Sequence, residues 1–211
     1  LEEGGDIEAE IFNRDFDDTH TLTPLGVAAY EGEVGVCEFL ISRGANINYK
    51  SGSDEWTPFW LACFKGDAQI VQLLLSNIVT DINAKDINNR TALHIACILG
   101  RIECVELLLN SNHLIEDINA KSNGNLTALD LAAANEYEEI LKLLLSYKGI
   151  RVPHDGRRVR QGHEDYIKGI IKSEEDKATE FTKRCITSMR SFSDSNLPAE
   201  IICSILTFVY G

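Results

Sequence analysis

The chain has 211 residues, is 44% hydrophobic and 25% charged, and carries a formal net charge of -13, the make-up of a soluble globular protein. No apolar run reaches the roughly 18 residues of a membrane-spanning helix, and the acidic balance argues against general nucleic-acid binding, which needs a basic footprint. The acid is concentrated in residues 1–150, with 24 acids against 10 bases, whereas residues 151–211 carry 9 against 10, so two parts with different surfaces are expected.

In chain order, the start "LEEGGDIEAE" resembles "ISRGANINYK" at Ile41, the end of a repeating unit. The chain opens on Leu1 rather than Met, and a fragment of a longer protein is expected. Four longer units follow. "TPLGVAAYEG" begins at Thr23, "TPFWLACFKG" at Thr57, "TALHIACILG" at Thr91 and "TALDLAAANE" at Thr127, at spacings of 34, 34 and 36 residues. Each leads into a second apolar-periodic run, "VGVCEFLI", "AQIVQLLL", "IECVELLL" and "EEILKLLL". The first three of these are followed by a turn and a short extended piece.

The local chemistry predicts a helical pair in each unit. The four threonines can cap the first helix through a side-chain oxygen. Pro24 and Pro58 come next, where a missing N–H is harmless. Ala28, Ala62, Ala96 and Ala132 are small where adjacent units pack. Gly32, Gly66 and Gly100 permit the tight turn between helices. Glu136 stands there in the fourth unit, so its turn is expected to be strained or differently shaped. Gly44 suits the end of a second helix. The turns after Leu75 and Leu109 have extra residues and no glycine, and are expected to bulge.

The motif and its period resemble the ankyrin repeat. The resemblance implies an all-α fold, an ankyrin repeat solenoid of helix-turn-helix units with short β-hairpin loops, and a C-terminal helical region. Residues 1–150 are assigned to repeats at about 17–50, 51–85, 86–121 and 122–150, preceded by a partial one. Such a stack buries each unit only against its neighbours and needs covered ends.

Residues 151–211 depart from the repeat. "RVPHDGRRVRQG" is basic and turn-rich, a linker or loop, with Arg157, Arg158 and Arg160 as a candidate anion patch. "HEDYIKGIIKS" and "SEEDKATEFTKRCITSMRS" have helical periodicity. "LPAEIICSILTFV" resembles the first helix of an F-box, through Leu197, Pro198, Glu200, Ile201, Ile205 and Leu206. Ankyrin proteins with such a tail, called PRANC in poxviruses, are also familiar from intracellular bacteria. The resemblance implies that the repeats bind a target while the tail docks the adaptor of a cullin–RING ubiquitin ligase. A plain helical cap on the stack remains the alternative for this helix.

No catalytic constellation stands out. The histidines form no metal-spaced pair, His94 is expected to make structural hydrogen bonds, and no glycine-rich phosphate loop occurs. A Cys185–His163 dyad is the one nucleophile–base pair the sequence leaves open. No cofactor is expected, and the protein is read as a non-enzyme. Cys37, Cys63, Cys97 and Cys104 sit in apolar helical patterns, as buried, reduced thiols of a cytoplasmic protein.

The leading function is a protein–protein interaction module, an adaptor or host-directed effector acting in the cytoplasm, or in the host cytoplasm. The alternative is the substrate-recognition fragment of a larger enzyme. The family's usual binding face, formed by hairpin tips and first helices, maps to Leu22, Tyr30, Trp56, Phe64, Lys65, Arg90, Ile98 and Leu99. Lys50 and Lys85, with Lys121, repeat at one hairpin position and should form a row. Trp60 stands where the motif has histidine and is expected to fill space between units.

Overall fold

The computed structural model describes residues 6–12, 20–111, 118–151, 168–173 and 176. The chain divides into two compact units, residues 1–164 and 165–211. In the second unit residues 168–173 are helical, within the predicted "HEDYIKGIIKS" helix. The candidate F-box-like residues Leu197, Pro198, Ile201, Ile205 and Leu206 lie outside the described residues, as do Cys185, His163, Arg157, Arg158 and Arg160.

The first unit is the predicted helical array. It opens with an antiparallel pair, β1 (Ile11–Phe12) and β2 (Thr21–Leu22), in which Ile11 faces Leu22. Four helical pairs follow: α1 (Pro24–Glu31) with α2 (Val34–Ser42), α3 (Pro58–Lys65) with α4 (Ala68–Leu75), α5 (Ala92–Ile98) with α6 (Ile102–Asn110), and α7 (Ala128–Ala134) with α8 (Glu138–Ser146). The first helices α1, α3, α5 and α7 pack in one row, and the second helices α2, α4, α6 and α8 in another.

The sequence explains the helix starts. The Thr23, Thr57 and Thr127 hydroxyls accept from the N–H groups of Gly26 (3.1 Å), Trp60 (3.1 Å) and Asp130 (3.2 Å). Those donors would otherwise lack a helical partner. In the third repeat the Thr91 N–H donates to His94 Nδ1 at 3.2 Å, and the Thr91 hydroxyl lies 2.8 Å from the same nitrogen. His94 Nε2 then donates to the Ala120 carbonyl at 2.9 Å, tying this helix to the next hairpin.

Between the helices of each pair the chain passes through left-handed backbone. Gly100 does so at φ 67° and has a second reason to be glycine, because a Cβ there would sit 2.8 Å from the Tyr137 ring. Glu136 keeps the same turn, at φ 58°, in the first three repeats' manner. The expected strain is therefore present and the expected change of shape is not.

Stacking is close because its contact residues are small. Ala28 is 4% exposed, and Ala62, Ala96 and Ala132 are fully buried. Around them pack Leu25, Phe59, Leu61, Ile70, Leu74, Leu108, Leu129, Ile140, Leu141 and Leu144. Cys37, Cys63, Cys97 and Cys104 are free, buried thiols. Burial pushes the Cys37 thiol up to about 11 and those of Cys63 and Cys97 upward too. These three stay protonated and act as small hydrophobes.

Short hairpins link the pairs. Ser51 exchanges backbone bonds with Trp56, the Asp86 N–H donates to the Arg90 carbonyl, and the Ser122 N–H to the Leu126 carbonyl. Glu55, Asn89 and Asn125, each two residues before a capping threonine, take φ of 58–59°. Successive hairpins are also bonded to each other. The Ile87 N–H donates to Asp54 O and the Asn123 N–H to Asn88 O, while Asn89 Nδ2 donates to Lys121 O.

The loop after Leu75 bulges as expected, and its tip carries Ile78, 91% exposed. After Leu109 the helix runs one residue further, to Asn110, and residues 112–117 lie outside the described part.

Candidate functional site

The first helices and hairpins place five rings in one continuous ladder. His20, just before β2, stacks on Trp56 with centroids 5.1 Å apart and planes 6° from parallel. Trp56 stacks on Trp60 at 5.0 Å and 8°, and Trp60 on Phe64 at 5.4 Å and 17°. Tyr30 of the preceding repeat meets Phe64 at 6.3 Å and 32°. The spacing of four residues from Trp56 to Trp60 to Phe64 puts these rings over one another near the start and along one face of α3. Offset aromatic pairs of this kind add roughly 0.5–1.5 kcal/mol beyond their buried area.

Cations sit against the ladder. Lys65 Nζ lies 4.0 Å from the Tyr30 ring centroid, and the Arg90 guanidinium carbon 5.8 Å from that of Trp60, both within cation–π range. Arg90 is held there by Asp86. Its Nε and Nη2 approach Asp86 Oδ2 at 2.8 and 2.7 Å, and its backbone N–H donates to Oδ1. The same Oδ1 accepts from the Asn88 N–H at 3.0 Å. The buried Asp86 carboxylate thus shapes the hairpin and aims the guanidinium.

The structure sorts the predicted binding residues into two groups. Leu22 is fully buried because β2 turns it into the packed layer, so its expected place on the surface is corrected. Trp56 and Tyr30 are each only 8% exposed. Trp56 is closed in by the His20 and Trp60 rings, and Tyr30 is covered by Lys65 and flanked by Phe64. They support the surface rather than project from it, although both were expected on the exposed binding face. Phe64, Arg90, Ile98 and Leu99 are half-buried, and Lys65, Lys50 and Lys85 are exposed. Lys50 reaches the next hairpin, donating to the Lys85 carbonyl at 2.9 Å, and is also paired with Glu55 at 2.7 Å. The exposed ion pair lies within one hairpin and contributes little to stability; the bond to the Lys85 carbonyl is what links adjacent tips.

Sequence reasoning did not place His20 or Ile87 on this face. His20 also pairs with Asp54 at 2.7 Å. Ile87, 54% exposed at a hairpin tip, interrupts a polar turn and could have been singled out for that. Trp60 is 3% exposed, and its Nε1 has no hydrogen-bond partner among the described residues. It fills the space expected of it, and the motif histidine's link to the next hairpin is absent here.

Among the described residues no group of three His, Cys, Asp or Glu side chains is placed to hold a metal ion. No described helix is long and apolar enough to cross a membrane. His94 is buried at 2% exposure with both ring nitrogens bonded, and burial lowers its pKa. It is a structural histidine.

Two stacked helical rows joined by bonded hairpins define a repeat scaffold for protein–protein interaction. The family profile for ankyrin repeats, built on three copies, matches residues 7–86, 28–121 and 59–155. The chain belongs to the ankyrin repeat family. None of the curated proteins matches it.

Proposed function

We propose that the chain binds a target protein through the face made by its first helices and hairpin tips, centred on Phe64, Lys65, Arg90, Ile98 and Leu99. The observation that carries this reading is the aromatic ladder. Rigid rings from two adjacent repeats support half-exposed apolar edges flanked by cations, and preordered aromatic and arginine groups are typical interface anchors. Trp56, Trp60 and Tyr30 hold that surface in shape from beneath, and Lys50 and Lys85 line its rim. Capture from cell extract with the full chain tests it. Proteins retained by wild type and lost with Phe64→Ser plus Ile98→Ser are the predicted targets; the same set retained by both would refute the site.

The finer reading rests on the sequence resemblance of the segment from Leu197. The target would be brought to a cullin–RING ubiquitin ligase, with the protein serving as an adaptor or host-directed effector in the cytoplasm. Leu197, Pro198, Ile201, Ile205 and Leu206 would contact the ligase adaptor. Co-precipitation of that adaptor, abolished by Ile201→Asp plus Ile205→Asp, is the expected result. No co-precipitation with wild type would refute the link while leaving target binding open.

A further inference from the structure

The row of second helices carries a feature that the proposed face does not use. A groove of about 480 Å³ opens between α2 and the loop after α4, lined by Glu38, Ile41, Leu73, Ser76, Asn77 and Ile78. At its edge stand Ile78, 91% exposed, and Val79, 61% exposed. Large aliphatics held in water forgo the stabilisation that burial would give them.

The loop that holds them out is an ordered frame. Asn77 accepts from the Val79 N–H on its side-chain oxygen (3.2 Å) and from the Thr80 N–H on its carbonyl (3.1 Å). The Thr80 hydroxyl donates to Leu74 O at 2.6 Å. Asn48, from the preceding repeat, donates to Val79 O at 2.6 Å and accepts from the Asp81 N–H at 2.8 Å. The first repeat makes the equivalent turn tightly at Gly44. The second spends extra residues there and presents two β-branched aliphatics beside an apolar groove. A frame fixed in advance loses little entropy on binding.

The charges around the groove select its occupant. Glu38 lines it, and the exposed Asp81 lies two residues beyond Val79. Farther along the second-helix row Glu33, Glu103, Glu106 and Glu139 are exposed, and Glu138 is paired with Lys142 at 2.6 Å. Arg43, the base nearest in sequence, lies over the Phe39 ring, 4.7 Å from its centroid. The Glu38 carboxylate in the groove, on a chain with a net charge of -13, disfavours an anionic lipid surface and a second copy of this chain. It favours a positively charged apolar segment, steered by the field and anchored by the knob.

We infer that this outer groove is a second docking surface, for a basic amphipathic helix that seats an apolar side chain beside Ile78 and its Lys or Arg side chains against Glu38 and Asp81. The probe is a short labelled helical peptide with leucines on one face and lysines on the other, titrated into the full chain by fluorescence anisotropy. A matched peptide with glutamates in place of lysines is the control. Binding of the basic peptide is expected to weaken about tenfold or more in Ile78→Ser plus Val79→Ser, and in Glu38→Lys, because anchors of this kind carry most of an interface's affinity. The serine substitutions fall on exposed side chains, and an unchanged thermal melt verifies the fold. Phe64→Ser plus Ile98→Ser should leave this binding unchanged, which separates it from the first-helix face. Equal binding by wild type and the Ile78/Val79 variant would overturn the inference, as would equal binding of the acidic peptide. It would equally be overturned by self-association in sedimentation, or vesicle binding, that the Ile78/Val79 variant abolishes.

Discussion

Glu136 offers a stability test in which two effects of known sign compete. Its backbone holds φ at 58°, whereas Gly32, Gly66 and Gly100 occupy the matching turns at 80°, 85° and 67°. A non-glycine residue in left-handed backbone is disfavoured by roughly 1–2 kcal/mol. Replacing it by glycine relieves that strain but adds freedom to the unfolded chain, worth about 0.4–1 kcal/mol in the other direction. Measured against Glu136→Ala, which removes the same side chain, Glu136→Gly is therefore expected to stabilise the array by about 0.5–1 kcal/mol, or roughly 1–4 °C in Tm for a chain of this size. The reverse exchange is asymmetric. Gly100→Glu adds the same backbone strain and drives a Cβ to within 2.8 Å of the Tyr137 ring, so it should destabilise by about 2 kcal/mol or more. Urea unfolding followed by circular dichroism measures both. A Glu136→Gly variant less stable than Glu136→Ala would show that the turn is not strained as its dihedral implies.

Three further outcomes follow from packing, titration and the aromatic ladder. Ala96 is fully buried between helix rows, and Ala96→Asp should cost about 3 kcal/mol or more by enclosing an unpaired charge; a melt within a degree or two of wild type would refute the third repeat's register. His94 has its pKa lowered by burial from the ordinary 6.5, so the unfolded chain takes up the proton first. Its stabilisation is complete above about 6.5 and is lost as pH falls through the folded value, and the wild-type midpoint should drop relative to His94→Gln between about pH 7 and pH 5. A pH-independent gap between the two would refute this. Trp60→Ala should destabilise by about 3–5 kcal/mol as a buried aromatic truncation, whereas Phe64→Ala should cost markedly less because its ring is half-exposed; equal losses in thermal melts would contradict the division into support and surface.

The fold was legible because it repeats. Threonine caps, proline at the first helical position, alanine at the stacking contact and glycine at the turn recur at a fixed spacing, and each acts through its immediate neighbours. The face was legible only in part. Phe64, Lys65, Ile98 and Leu99 lie where the repeat phase puts them, but phase does not say which side chains are roofed by another unit. Leu22 is buried because β2 turns it into the packed layer, and Trp56 because His20 stacks over it. The bulge after Leu75 was readable from its missing glycine. Its display of Ile78 and Val79 was not, since an aliphatic pair in a helical protein is ordinarily core, and their exposure depends on hydrogen bonds from Asn48 and Thr80.

The first-helix and hairpin face is the proposed site of target binding. Hydrogen–deuterium exchange of the full chain, alone and saturated with a target captured through the Phe64 and Ile98 comparison, tests this most directly. Added protection is expected at the C-terminal ends of α3 and α5, around Phe64–Lys65 and Ile98–Leu99, and at the hairpin tip from Lys85 to Arg90. Protection confined to the second helices, with those segments exchanging as in the free chain, would contradict it.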